Sequence, residues 1–249
     1  MKFEEAYCDY IKRTITLDAI TGLYKTNYSL YAKSYKNSFW CPECRKVRLS
    51  YNNDTPPYLS AYPNSLHDEY CTYRQDELPS EKVNALVSSR RYMDVIRRQM
   101  DSLMHLLFAS EPPEKNVNST PKHPTLLPKR PKGTESGNTQ QIPRKRIDTP
   151  LRENDYDTYK LFYGDVTLSW EVKDKFCPKN KFVLRDLNNR KFICRICITD
   201  KVCPHIPSQF KNTEPYHGKV VFFGKVTRDQ SGYKQNTLEH SSYLQIYPL

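Results

Sequence analysis

Four soft metal ligands in two close pairs, Cys41-Pro42-Glu43-Cys44 and His67-Asp68-Glu69-Tyr70-Cys71, constrain this chain more than any other feature. Two cysteines separated by two residues can aim both sulfurs at one ion from a tight turn, which Pro42 helps to preset. His67 and Cys71 are four apart, so on a first helical turn they share a face. The 22 residues between the pairs must loop out and return, and Asn52, Asn53, Asp54, Pro56 and Pro57 supply the turn chemistry. Four such ligands close a tetrahedral zinc site, which organises a fold rather than catalysing a reaction. The gap is longer than in the compact fingers that dock one helix in the major groove, so a simple DNA-reading finger is not expected. The alternative is that Cys44 and Cys71 are ordinary buried thiols, since free cysteine packs as a small hydrophobe.

The remaining composition sets the organisation around this array. The chain has 249 residues and a net charge of +11. Residues 111–150 hold eight of its 18 prolines, and Leu126 and Leu127 stand out there as large apolar residues. Such a stretch buries too little surface to offset its ordering entropy, and is expected as a disordered linker between two domains, 1–110 and 151–249. Its clusters Lys129-Arg130-Pro131-Lys132 and Arg144-Lys145-Arg146 read as solvated linker charge, as a nuclear-import signal or as a tether on phosphates. The eight cysteines have no signal-peptide-like run ahead of them, so they are expected reduced, in the nucleus if the cell has one and otherwise in the cytoplasm. No membrane association is expected.

In the first domain, residues 81–110 carry Ile96, Met100, Leu103 and Leu107 at helical spacing, with Ser80 as N-cap and Arg90, Arg91, Arg97 and Arg98 on the polar side. The stripe is expected to pack within its own domain, with dimerisation left open. The N-terminal aromatics, among them Tyr7, Tyr24, Tyr28, Tyr31 and Trp40, suit either a stacking surface for single strands or packing around the metal site, and packing is favoured. Catalysis finds little support: no phosphate-cradling glycine loop, His-Glu-x-x-His helix or nucleophile elbow is present.

Residues 153–249 read as all β. Strands are expected over 159–172, with Phe162, Val166, Leu168, Trp170 and Val172 on one face, then 182–187, 191–198, 218–227 and 243–247. Asn188-Asn189 suits a hairpin, and residues 204–216 a short helix or loop. Five strands in this order, with an interruption between the third and fourth, follow the grammar of a small Greek-key barrel.

The runs Tyr163-Gly164-Asp165-Val166, Phe182-Val183-Leu184-Arg185-Asp186 and Val220-Val221-Phe222-Phe223-Gly224-Lys225-Val226 resemble the oligonucleotide-binding (OB) fold. Their arrangement is similar to the barrels of single-stranded-DNA-binding proteins, including the middle subunit of replication protein A. The expected fold class is thus α+β in two domains, a zinc module with a long helix and a five-stranded OB-like barrel. In such folds the ligand crosses strands two and three between flanking loops. The resemblance implies a contact surface of Lys173, Lys175, Phe176, Arg185, Lys191, Arg195, Lys225, Tyr233 and Lys234. On the third strand Phe192, Cys194, Ile196 and Ile198 are expected to face the core.

The implied function is non-catalytic binding of single-stranded nucleic acid, DNA favoured, in a genome-maintenance or replication assembly with other protein subunits. The alternative is a scaffold that recruits proteins without touching nucleic acid. A second zinc site at Cys194, Cys197, Cys203 and His205 is less favoured than one at the first array, because strand alternation points Cys194 and Cys197 to opposite faces.

Overall fold

A computed structural model describes residues 3–68, 71–74, 77–87, 92–109, 141–173, 179–229 and 232–249. It is mixed α and β, dominated by one large sheet, with few helices. Two compact units form, one from residues 1–77 and 105–141, the other from 78–104 and 142–249. Among the described residues, no helix is long and apolar enough to cross a membrane. The basic cluster at 129–132 and most of the expected linker lie outside the described residues.

In the first unit, β1 (Glu5–Cys8) pairs antiparallel with β2 (Arg13–Thr16) and with β3 (Phe39–Trp40). Between β2 and β3 run α1 (Leu17–Thr26) and α2 (Tyr28–Leu30), the latter continuing into a π-helical turn, Tyr31–Tyr35. Thr16 caps α1 by accepting from the Ala19 N–H, and Asp18 favours the same positive end. The chain between the metal-ligand pairs folds as a hairpin, β4 (Leu49–Asn52) with β5 (Tyr58–Ala61). One face of these strands is the core: Ala6, Cys8, Phe39, Cys41, Val47, Leu49 and Leu59 are all fully buried. Tyr31 is buried beside them, and Tyr24 packs edge-on against it at 5.1 Å. Tyr31 and Tyr24 therefore pack, while Tyr28 is 55% exposed and Tyr7 and Trp40 are half-buried.

In place of one helix over 81–110 there are two, α3 (Ser80–Val87) and α4 (Met93–Ala109). Ser80 lies inside α3 rather than capping it, and Arg90 and Arg91 fall outside the described residues. Ile96, Met100, Leu103 and Leu107 are buried as their spacing implies, while Arg97 and Arg98 are exposed. α4 as far as Met104 falls in the unit that holds the large sheet, while Leu107 falls in the first unit. Asp101 accepts from Gln245, and Gln99 accepts from the Ile142 N–H.

The sheet of the second unit comprises β6 (Arg144–Arg146), β7 (Tyr159–Glu171), β8 (Asn180–Asp186), β9 (Phe192–Ile198), β10 (Tyr216–Lys225), β11 (Thr227–Arg228), β12 (Lys234–Leu238) and β13 (Leu244–Pro248). β7 pairs antiparallel with β8 and β10, and β8 antiparallel with β9. β12 lies parallel to β9 and antiparallel to β11. Since β10 runs through Val226 into β11, the hydrogen-bonded neighbours form a ring. Phe162, Val166, Leu168, Phe182, Leu184, Cys194, Ile196, Val220 and Phe222 fill it, all fully buried. Trp170 joins them, but Val172 lies beyond the end of β7 and is 60% exposed.

Three expectations are corrected here. The ring is closed by β12, which falls between the expected strands 218–227 and 243–247, in residues 228–240 expected as a loop, while the expected last strand is β13, paired on β10. The turn after β8 is not a two-residue hairpin at Asn188-Asn189. It spans Asp186 to Lys191, with the Asp186 carboxylate accepting from both asparagine N–H groups and Arg190 taking the positive φ, 56°. Finally, Arg144-Lys145-Arg146 is not solvated linker but β6, parallel to β7. Lys145 and Arg146 are buried because Asp155 and Asp148 meet their charges.

Candidate functional site

The two ligand pairs of the sequence come together. One donor atom from each of Cys41, Cys44, His67 and Cys71 lies within 4.8 Å of all the others. The Cys41 and Cys71 sulfurs are 3.7 Å apart, and His67 Nδ1 is 3.5 Å from the Cys44 sulfur and 3.3 Å from that of Cys71. A tetrahedron with metal–sulfur bonds near 2.3 Å and metal–nitrogen bonds near 2.0 Å has edges of about 3.8 and 3.5 Å. The quartet therefore has the dimensions to hold a metal ion.

Local structure builds each half. The first pair sits on a turn closed by the Arg45 N–H donating to Cys41 O at 3.0 Å, and Arg45 takes a left-handed φ of 55° to leave it. The second pair is a turn, with the Cys71 N–H donating to Asp68 O, followed by a 3-10 turn, Thr72–Arg74, in place of the expected α-helical turn. Phe3 stacks on Tyr73 at 4.6 Å and on His67 at 6.1 Å, which fixes the imidazole plane. Burial alone would push the Cys41 thiol up, but hydrogen bonds from Cys71, His67 and the Cys44 and Glu43 backbone bring it down to about 4. The hydrogen bond to Cys41, with burial, raises Cys71 in turn.

No comparable cluster forms at Cys194, Cys197, Cys203 and His205 among the described residues. Cys194 faces the ring interior, where burial pushes its thiol up to about 12. Cys197 is buried on the other face against Gln235, and Cys203 accepts from Asn180 at 3.3 Å.

The expected nucleic-acid contacts fall in different places. Lys175 and Phe176 lie outside the described residues. Lys173 is exposed and 3.7 Å from Asp200, Lys191 is exposed, and Lys225 lies over the Tyr159 ring at 5.0 Å. Arg185 and Arg195 lie on the outer face of β8 and β9, opposite Phe192 and Val183 respectively. Tyr233 is 49% exposed at the turn into β12, whose first residue is Lys234.

Sequence reasoning missed Phe192 in this group. A register shift between Leu184 and Arg185 skips Ile193 and turns Phe192 outward to face Arg185. Its ring meets Tyr233 edge-on at 5.7 Å, and the Arg195 guanidinium lies 4.5 Å from the Tyr233 centroid and 6.0 Å from that of Phe192. Asp229 holds the assembly, its carboxylate accepting from the Tyr233 N–H and pairing with Arg195 at 3.7 Å.

No protein-family model, curated protein or solved structure matches this chain.

Proposed function

We propose that the protein binds single-stranded nucleic acid non-catalytically, through the outer face of β8 and β9. The carrying observation is the cluster of Phe192, Arg195 and Tyr233, two rings and a guanidinium on adjoining strand and turn. Unpaired bases stack on such rings while arginine meets the backbone phosphates. The strand order of the ring supports reading it as an OB barrel, with β12 as the strand that lies parallel to the third. In that fold this face, flanked by the turn carrying Tyr233, is where a strand lies. By the same resemblance the protein acts in a genome-maintenance or replication assembly, with zinc as the structural ion of the Cys41, Cys44, His67 and Cys71 quartet.

The test is fluorescence anisotropy of a labelled oligonucleotide titrated with the full chain at several salt concentrations. Affinity is expected to fall with salt, by a log–log slope of about 0.7 for each phosphate contacted. Tyr233→Ala is expected to weaken binding about 5- to 150-fold, the equivalent of one lost stack. Binding that ignores both salt and Tyr233, or stable capture of a protein subunit with no oligonucleotide shift, would replace this reading by the scaffold one.

A further inference from the structure

The small strands around the metal centre have a second face. Residues paired across antiparallel strands share a side, and Thr14, Tyr7, Trp40 and Arg48 follow one another in register across β2, β1, β3 and the approach to β4. Tyr62 continues the row, its N–H donating to Arg48 O at 3.1 Å. Their sequence neighbours Ala6, Phe39, Cys41, Val47 and Leu49 point the other way and are fully buried. Tyr7, Trp40 and Arg48 are only half-buried, and Tyr62 is 40% exposed.

Two guanidinium groups cover this row. That of Arg45 lies 4.1 Å from the Tyr7 centroid, and that of Arg48 lies 5.3 Å from the Tyr62 centroid. Among the described residues no carboxylate pairs with Arg48. Its Nη2 donates to Asn37 O at 3.2 Å, and its Nε is buried with no partner. A guanidinium left without an anion beside half-open aromatic rings suits a ligand that brings both π faces and negative charge. We infer that Tyr7, Trp40, Tyr62, Arg45 and Arg48 form a second binding platform for unpaired bases of single-stranded nucleic acid, separate from the β8–β9 face. The metal centre positions it: Cys41 and Trp40 are consecutive on opposite faces, and the metal-binding turn projects Arg45 over Tyr7.

Trp40 reports on the platform directly, because the only other tryptophan, Trp170, is 5% exposed in the second unit. In full-length Trp170→Phe protein loaded with zinc, oligothymidylate is expected to quench Trp40 emission by stacking. Arg45→Gly suits the left-handed backbone at that position, so it removes the guanidinium while keeping the turn. With it, the quenching midpoint is expected to move about fivefold or more to higher oligonucleotide, and Tyr62→Ala to do the same. Quenching is expected to persist in a Tyr233→Ala, Arg195→Ala background. Its persistence with no other binding signal would end the barrel reading and leave this one standing. Unchanged Trp40 emission through a saturating titration, midpoints indifferent to Arg45 and Tyr62, or quenching lost with Tyr233 and Arg195 would each overturn the platform. Should Trp170→Phe not fold, the difference in quenching between the unmodified chain and Trp40→Phe makes the same measurement.

Discussion

Arg195 is held between an acid and a ring, Asp229 at 3.7 Å and Tyr233 at 4.5 Å. A phosphate must compete with Asp229 for that guanidinium. Asp229→Asn keeps an oxygen for the Tyr233 N–H while removing the competing charge, so oligonucleotide affinity in the anisotropy titration is expected to rise several-fold. Weaker binding would assign Asp229 to shaping the turn alone. Cys194 gives a second prediction, in pH. Its buried thiol titrates near 12, against about 8.5 in an unfolded chain, so above the lower value the unfolded state has shed a proton that the folded state keeps. Stability is therefore full below that value and is lost as pH rises towards 12, by about 1.4 kcal/mol per pH unit from this group. Urea unfolding at pH 8 and pH 10, with Cys194→Ala removing this share of the slope, measures it. At this scale the metal quartet was legible because short spacing alone sets which sulfurs can converge. Phe192 was not, because one residue skipped opposite the end of β8 reverses its side, and no local pattern marks that skip.

Among the elements, β6 and β12 escaped sequence reading for opposite reasons. β6 is three consecutive basic residues, which suggest solvent until their partners are known. Lys145 faces Asp155, and Arg146 meets Asp148 with Asp165 beyond it, while Lys219 donates to Asp165 from β10 at 2.7 Å. Asp148 is only two residues from Arg146 and Asp155 ten from Lys145, but no periodicity in such a short basic run shows that β6 lies against β7 with these acids beside it. Asp155 serves two cations, Lys160 at 2.7 Å and Lys145 at 3.9 Å, so Asp155→Ala is expected to cost about 3–5 kcal/mol in chemical denaturation, far beyond a surface substitution. β12 is mostly polar, and only Asn236 and Leu238 turn inward. Asn236 lies across from Gly224 of β10, where an added Cβ would stand 2.0 Å from the amide nitrogen. Gly224→Ala must displace the buried Asn236 side chain and its hydrogen bond to Lys225 O, and a loss of about 1–3 kcal/mol in the same denaturation experiment is expected. A loss within 0.5 kcal/mol would mean the seam yields freely.

For the whole molecule, a Cys/His cluster and a large sheet were legible from ligand spacing and strand alternation, and the chain divides into two compact units. The surface that covers α4 was not legible, because an amphipathic helix shows its apolar stripe without naming what packs on it. Chelation followed by gel filtration tests the division: removing the ion is expected to abolish Trp40 quenching and expand the first unit, while anisotropy still reports binding through Arg195 and Tyr233. Loss of both signals would show the units to be energetically one. The β unit is assembled from two stretches of chain, 78–104 and 142–249, on either side of residues assigned elsewhere. During synthesis β1 to β5 and all four residues of the Cys/His cluster precede residue 77, although the same unit also takes in residues 105–141. The helices made next have no sheet to cover until β7, β10 and β13 follow, roughly ten seconds later at ordinary rates of elongation. For that interval their apolar stripe is bare, and the nascent chain is exposed there to chaperones and to aggregation.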